Sequence, residues 1–167
     1  PVQKNIFSLL KEYTDRNKIS TSIDGCSAPT PFLTLKEMAN LYQIFGSSRF
    51  KELNIAYDSM VEFPFLISGT GGFDTDFIKA LNGKAVTKIG GEAIRGVSVR
   101  VPDRGCIGIA LKVLDGNFRA LSPTTMKVLD YLGLLSNSEK LSLKNYSEIS
   151  LKNHNNFTIG RINATID

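Results

Sequence analysis

An α+β fold, with an antiparallel sheet and helices packed on it, is predicted by three features of this sequence. Apolar residues fall at helical spacing in segments between Val2 and Leu81. They alternate with other residues from about Ala85 to Val113, and Pro102-Asp103-Arg104-Gly105 divides that alternating run as a hairpin turn would. A chain of 167 residues with 42% hydrophobic content supports one core and is short for two, so residues 1–167 read as a single domain.

The elements follow in order. Val2, Ile6, Leu9, Leu10 and Tyr13 share one face of a first helix, with Lys4, Lys11, Glu12 and Asp15 elsewhere on it. The periodicity stops between Lys18 and Pro31, where Asp24, Gly25, Ser27, Pro29 and Pro31 mark a constrained loop. Thr34 and Glu37 form a capping box, each able to satisfy an orphan amide of the other's turn. The stripe of Met38, Leu41, Tyr42 and Phe45 then makes a second helix that ends at Gly46. Phe63 to Gly72 reads as a loop. Asp74 is expected to cap a short helix through Leu81, after which Asn82-Gly83 closes that helix or opens a turn. After the hairpin, Ser122 as N-cap and Pro123 at the first helical position open another helix, with Met126, Leu129 and Leu132 toward the core and Gly133 at its end. Ser136 to Asn156 is polar and shows no clear element. Phe157, Ile159 and Ile162 suggest a last short strand. The sheet is expected to be covered by helices on one face.

Composition excludes several function classes. Twenty Lys plus Arg against 16 Asp plus Glu give a net charge of +4, with the basic residues scattered rather than striped with aromatics, which argues against nucleic-acid binding. No run of about 18 apolar residues and no basic segment leading into an apolar one is present, so no membrane partner is expected and a cytoplasmic location fits. The two cysteines, Cys26 and Cys106, are far apart and make neither a redox pair nor a self-contained zinc site. Pro1-Val2-Gln3 runs at once into a helical pattern, so the beginning reads as cut.

Two segments carry chemistry. In Asp24-Gly25-Cys26, Gly25 allows a turn that aims Asp24 and Cys26 at a common space; the same three residues also make an ordinary turn with a half-buried thiol. Lys88-Ile89-Gly90-Gly91-Glu92 closes an apolar stretch. A partly desolvated Lys88 would serve as a general base, and Gly90 and Gly91 would let a substrate approach the backbone. Alternatively, Lys88 is a surface lysine before a bulge, held charged by Glu92. The only histidine, His154, makes a Cys26/His154 hydrolase a further alternative. Ser68-Gly69-Thr70-Gly71-Gly72 lacks the Gly-Lys-Ser/Thr ending of a phosphate loop, and Cys26, Cys106 and His154 have no metal-site spacing.

Several segments together resemble the asparaginase II family of the rhizobial type. They are Pro1-Val2-Gln3, Asp24-Gly25-Cys26 with Pro29-Thr30 and Leu35, Ser68-Gly69-Thr70 leading to Phe73-Asp74-Thr75, and Lys88 to Glu92. Gly108-Ile109-Ala110-Leu111-Lys112, Asp115-Gly116 with Arg119-Ala120, and Ile159-Gly160-Arg161-Ile162 continue the series. The resemblance spans nearly the whole chain and is similar to the C-terminal half of a family member. It implies part of a serine β-lactamase/glutaminase-like fold and hydrolysis of L-asparagine to L-aspartate and ammonia. By the resemblance Lys88 is the catalytic lysine that activates a serine, and that serine, in a Ser-x-x-Lys pair, belongs to a missing N-terminal half. Asp24 is implied to face the substrate amino group, with Gly90 and Glu92 also in the substrate site. Cys26 is implied as a zinc ligand whose companions come from the missing half; the hydrolysis itself requires no cofactor. The implied partners are L-asparagine, the N-terminal half and a second copy in a homodimer. Gly72 stands where the family usually has arginine, which puts any contact of that arginine in doubt. A non-catalytic amino-acid-binding or assembly module of the same fold is the alternative function.

Overall fold

In the computed structural model, which describes residues 2–167, the amphipathic first segment forms helix α1, Val2–Thr14. Its apolar face stays open: Val2, Ile6 and Leu9 are 69%, 42% and 48% exposed. The expected loop that follows is a small hairpin of β1, Thr21–Ile23, and β2, Pro29–Pro31, closed by the Asp24–Ala28 turn. Helix α2, Leu35–Gly46, begins at the expected capping box, with both reciprocal Thr34–Glu37 hydrogen bonds in place.

Helix α3, Lys51–Glu62, lies where no element was expected. It has no side-chain cap at Phe50, and Ile55 points outward at 58% exposure, so neither a start signal nor a clean stripe marks it in the sequence. The expected loop 63–72 contains one helical turn, α4, Phe65–Ser68. Helix α5, Phe73–Leu81, is capped by Gly72 and not by Asp74, which sits inside the first turn and is buried. A buried guanidinium from the sheet claims the Asp74 carboxylate, and that demand outweighs a cap. Asn82, at φ 43°, ends the helix in the left-handed conformation, as the Asn-Gly pair suggested.

The sheet is an antiparallel meander of β3, Ala85–Gly90, β4, Ile94–Val101, and β5, Gly105–Lys112, in that spatial order. Its register separates two faces. Thr87, Val97, Val99 and Ile109 belong to one, and they pack with Phe77 and Ile78 of α5 and with Met126 and Leu129. Lys88, Gly96, Ser98 and Gly108 belong to the other, which α2 covers. A Cβ at Gly96 would overlap the Tyr42 ring, and one at Gly108 would overlap the backbone of Ala39 and Gln43. These two strand-interior glycines let α2 lie against the backbone of the sheet. Helices therefore flank both faces, one layer more than expected.

After a 3-10 turn at Phe118–Ala120, helix α6 runs Leu121–Tyr131. The turn leads directly into the helix, so Ser122 is not its cap. Pro123 lies in the first turn, where its missing amide is no loss. Leu132 is 43% exposed, and Leu134 and Leu135 reach the core instead, after Gly133 reverses the chain at φ 66°. The polar stretch beyond forms α7, Asn137–Ser142, on a second capping box of Ser136 and Glu139, then α8, Lys144–Ser147, and β6, Ile149–Lys152. Strand β6 pairs with the expected last strand, β7, Thr158–Ile162. Among the described residues no helix is long and apolar enough to cross a membrane.

Candidate functional site

The candidate site is built on the end of β3. Register pairs Lys88 with Gly96, so the Lys88 side chain leaves the sheet on the α2 side, beside a residue that has none of its own. Lys88 is exposed; its Nζ donates to the carbonyl of Ile89 at 2.8 Å, and no carboxylate of the described residues pairs with it. Beyond it, Gly90 and Gly91 lead into the turn to β4. At Gly91 nothing lies within 4 Å of where a Cβ would be, so the backbone there is open to a ligand. Glu92 and Ala93 then take φ values of 56° and 53°. Two adjacent non-glycine residues in this left-handed region cost about 1–3 kcal/mol each, strain of the kind that clusters at ligand sites. Glu92 does not pair with Lys88. Its carboxylate leans on Gly116, where an added Cβ would come within 2.5 Å of Oε2.

On the α2 side, Leu41, Tyr42 and Phe45 of α2, Met60 of α3, Ile67 of α4 and Lys88 line an open groove of about 370 Å³. Its wall is almost wholly hydrocarbon, and Lys88 is its one charged group. Burial, with the nearby Asp74 charge second, pushes the Tyr42 phenol above its ordinary value, so it stays a neutral hydrogen-bond donor.

The opposite face of β3 is held by a buried ion pair. Asp74 and Arg95 are each 1% exposed; one Asp74 oxygen meets the Arg95 guanidinium, and the other accepts from the backbone amide of Ile89 at 2.9 Å. Arg95 also donates to Thr87 Oγ1 at 3.0 Å and lies 4.3 Å from the Phe73 ring centroid, while its Nε is buried without a partner. Burial lowers the Arg95 pKa and Asp74 opposes that shift. Residues 87 and 89, on either side of Lys88, are thus both tied to one buried network. Sequence reasoning missed Tyr42, Asp74 and Arg95 as site residues. The available signal was Gly96 in a strand interior, which implies a close neighbour.

Asp24 and Cys26 sit at the tip of the β1–β2 hairpin. Asp24 Oδ1 accepts from the amides of Cys26 at 2.8 Å and Ala28 at 3.2 Å, a side-chain-closed turn. Hydrogen bonding from the Cys26 thiol, then from its amide, holds the Asp24 carboxyl below the usual carboxylate range. No hydrogen bond or ion pair connects Asp24 with Lys88 or Glu92 among the described residues. His154 lies in the turn between β6 and β7 and shares no hydrogen bond with Cys26. Zinc takes about four ligands. Cys26 has Asp24 beside it and no third donor, and no group of three His, Cys, Asp or Glu among the described residues could hold a metal. This chain by itself does not fit zinc.

The fold and site together define a small α+β domain that presents a lysine from a sheet edge beside an open, helix-lined groove. The sequence model of the L-asparaginase II family matches residues 1–164, and the chain belongs to that family of asparaginase-like amidohydrolases. Comparison with curated proteins gives no match.

Proposed function

We propose that this chain supplies the proton-transferring lysine of an L-asparaginase and acts on the side-chain amide of L-asparagine. The observation that carries the reading is Lys88, on a strand end with open backbone beyond it, in a member of the L-asparaginase II family. Lys88 takes the proton from an attacking serine, and backbone amides stabilise the oxyanion. Lys88 then returns the proton to the leaving nitrogen, and ammonia departs from an acyl-enzyme that water hydrolyses to aspartate. An exposed ammonium is a poor base, because desolvation is what lowers a lysine's proton affinity. The reading therefore requires a further segment, bearing the serine, that covers Lys88. Asp24, Gly90 and Glu92 are assigned to substrate binding on the same reading, and Cys26 to zinc only with ligands from that segment. The 167-residue chain alone should release no ammonia from asparagine; robust turnover by it would overturn the half-site view.

One observation favours the second reading, an amino-acid-binding or assembly module. Lys88 bonds to a backbone carbonyl, and no hydroxyl or thiol of the described residues is hydrogen-bonded to it. That reading predicts heat of asparagine binding to the isolated chain with no ammonia formed by any longer form.

A further inference from the structure

We infer that Asp74 is a positioning residue for the amide hydrolysis: oriented by Arg95, it clamps the backbone of Ile89, the residue that holds the Lys88 ammonium. The inference rests on Lys88 as the proton-transferring group and adds to that reading the residue that sets its place. Strand β3 is the edge of its sheet, with β4 on one side and no strand of the described residues on the other. The Arg100 amide bonds to the Lys84 carbonyl, so the bonded pairs alternate to Val86–Ser98 and Lys88–Gly96, and Ile89 faces Arg95 in a pair without such bonds. Ile89 therefore turns both its amide and its carbonyl to the free edge, where no ladder fixes them.

Both groups are taken by side chains instead. The amide donates to Asp74 Oδ2 at 2.9 Å, and the carbonyl accepts from Lys88 Nζ at 2.8 Å. Asp74 Oδ1 meets Arg95, whose guanidinium also donates to Thr87 Oγ1 at 3.0 Å and lies 4.3 Å from the Phe73 ring centroid. Asp74, Arg95 and Thr87 are each at most 1% exposed, so water does not compete for these bonds as it does for the contact of the exposed Lys88. A continuous path thus runs from the guanidinium through the carboxylate and one backbone residue to the ammonium. Asp74 has no hydrogen bond to Nζ; its two oxygens are committed to Arg95 and Ile89, and it acts on the lysine through the backbone. An edge residue freed from such a clamp shifts, and a displacement of about 1 Å in a reacting group can cost about a hundredfold in rate.

The test compares two double variants in the product of the full reading frame. Asp74→Leu with Arg95→Met removes the acceptor and the buried charges together, whereas Asp74→Asn with Arg95→Met keeps an oxygen for the Ile89 amide and leaves no stranded charge. In asparagine hydrolysis the first should lower kcat about tenfold or more with KM within about twofold of the parent, and the second should restore kcat to within about threefold. In the 167-residue chain, the Ile89 amide should exchange with solvent about tenfold faster in the first variant and near the parent rate in the second, while the Leu129 amide keeps its protection in both. Urea curves confirm that each variant is folded under the assay conditions. If the first does not fold, Asp74→Glu, which keeps the ion pair but moves the carboxylate by one methylene, should likewise lower kcat with KM held. Unchanged kcat in the folded variant that lacks the acceptor, or equal losses in the two double variants, would overturn the inference and leave catalysis by Lys88 standing. Absence of turnover in the parent removes the asparaginase reading and the positioning role with it, while an Ile89 exchange rate that is the same in all forms removes the clamp alone.

Discussion

Asp74 shows how a single residue can be misread from its neighbours. An aspartate just after a glycine run resembles a helix cap, but its partner, Arg95, is 21 positions away and both are 1% exposed. Removing one member of a buried pair strands the other charge, at a cost of about 3–5 kcal/mol. Asp74→Asn should lower the urea midpoint accordingly, and the double change Asp74→Leu with Arg95→Met should recover part of the loss. Equal losses for the single and double variants would mean that the pair is not the source. Tyr146 makes a second prediction. Its phenol is pushed up to about 12, by burial first and then by its 2.5 Å hydrogen bond to Asp76. The neutral form is therefore favoured by folding. Its contribution is complete below the ordinary phenol value of 10.0 and is lost as pH rises through about 12. Tyr146→Phe should be less stable at neutral pH and decline less steeply over that alkaline window; parallel curves would refute the assignment.

At the scale of elements, the close approach of α2 to the sheet decides where the site lies. Gly96→Ala would drive a methyl into the Tyr42 ring, an overpacking that costs about 1–3 kcal/mol, whereas Gly91→Ala meets open space. Denaturant curves should separate the two variants clearly, and similar midpoints would contradict the packing described. The β4–β5 hairpin and α2 were legible in the sequence because alternation and a reciprocal cap are local signals; the separate strand β3, and the turn between Gly90 and Ile94 that makes the sheet a three-stranded meander, were not. Helix α3 was not, since its inward residues are set by tertiary packing and its start has no cap. The Ser136–Glu139 box was present in the sequence but lay in a stretch too polar to show a stripe. Lys88 could be singled out from its position before two glycines. Its face, and Tyr42 as its neighbour, required the strand register and a contact between distant segments.

For the whole molecule, large apolar side chains stand exposed on several elements. Val2, Leu66, Leu114, Phe157 and Ile159 are each more than two-thirds exposed, and Ile6 and Leu9 extend the α1 face. Association of copies would cover such side chains. Sedimentation equilibrium should find the isolated chain as a dimer or larger, and a strict monomer at high concentration would remove the proposed homodimer. The central claim remains that Lys88 moves the proton in amide hydrolysis. Ammonia release from L-asparagine by the product of the full reading frame, with Lys88 and with Lys88→Met, tests it most directly. The account predicts turnover in the first and loss of at least a hundredfold in the second with the fold retained; undiminished turnover in the Lys88→Met protein would contradict it.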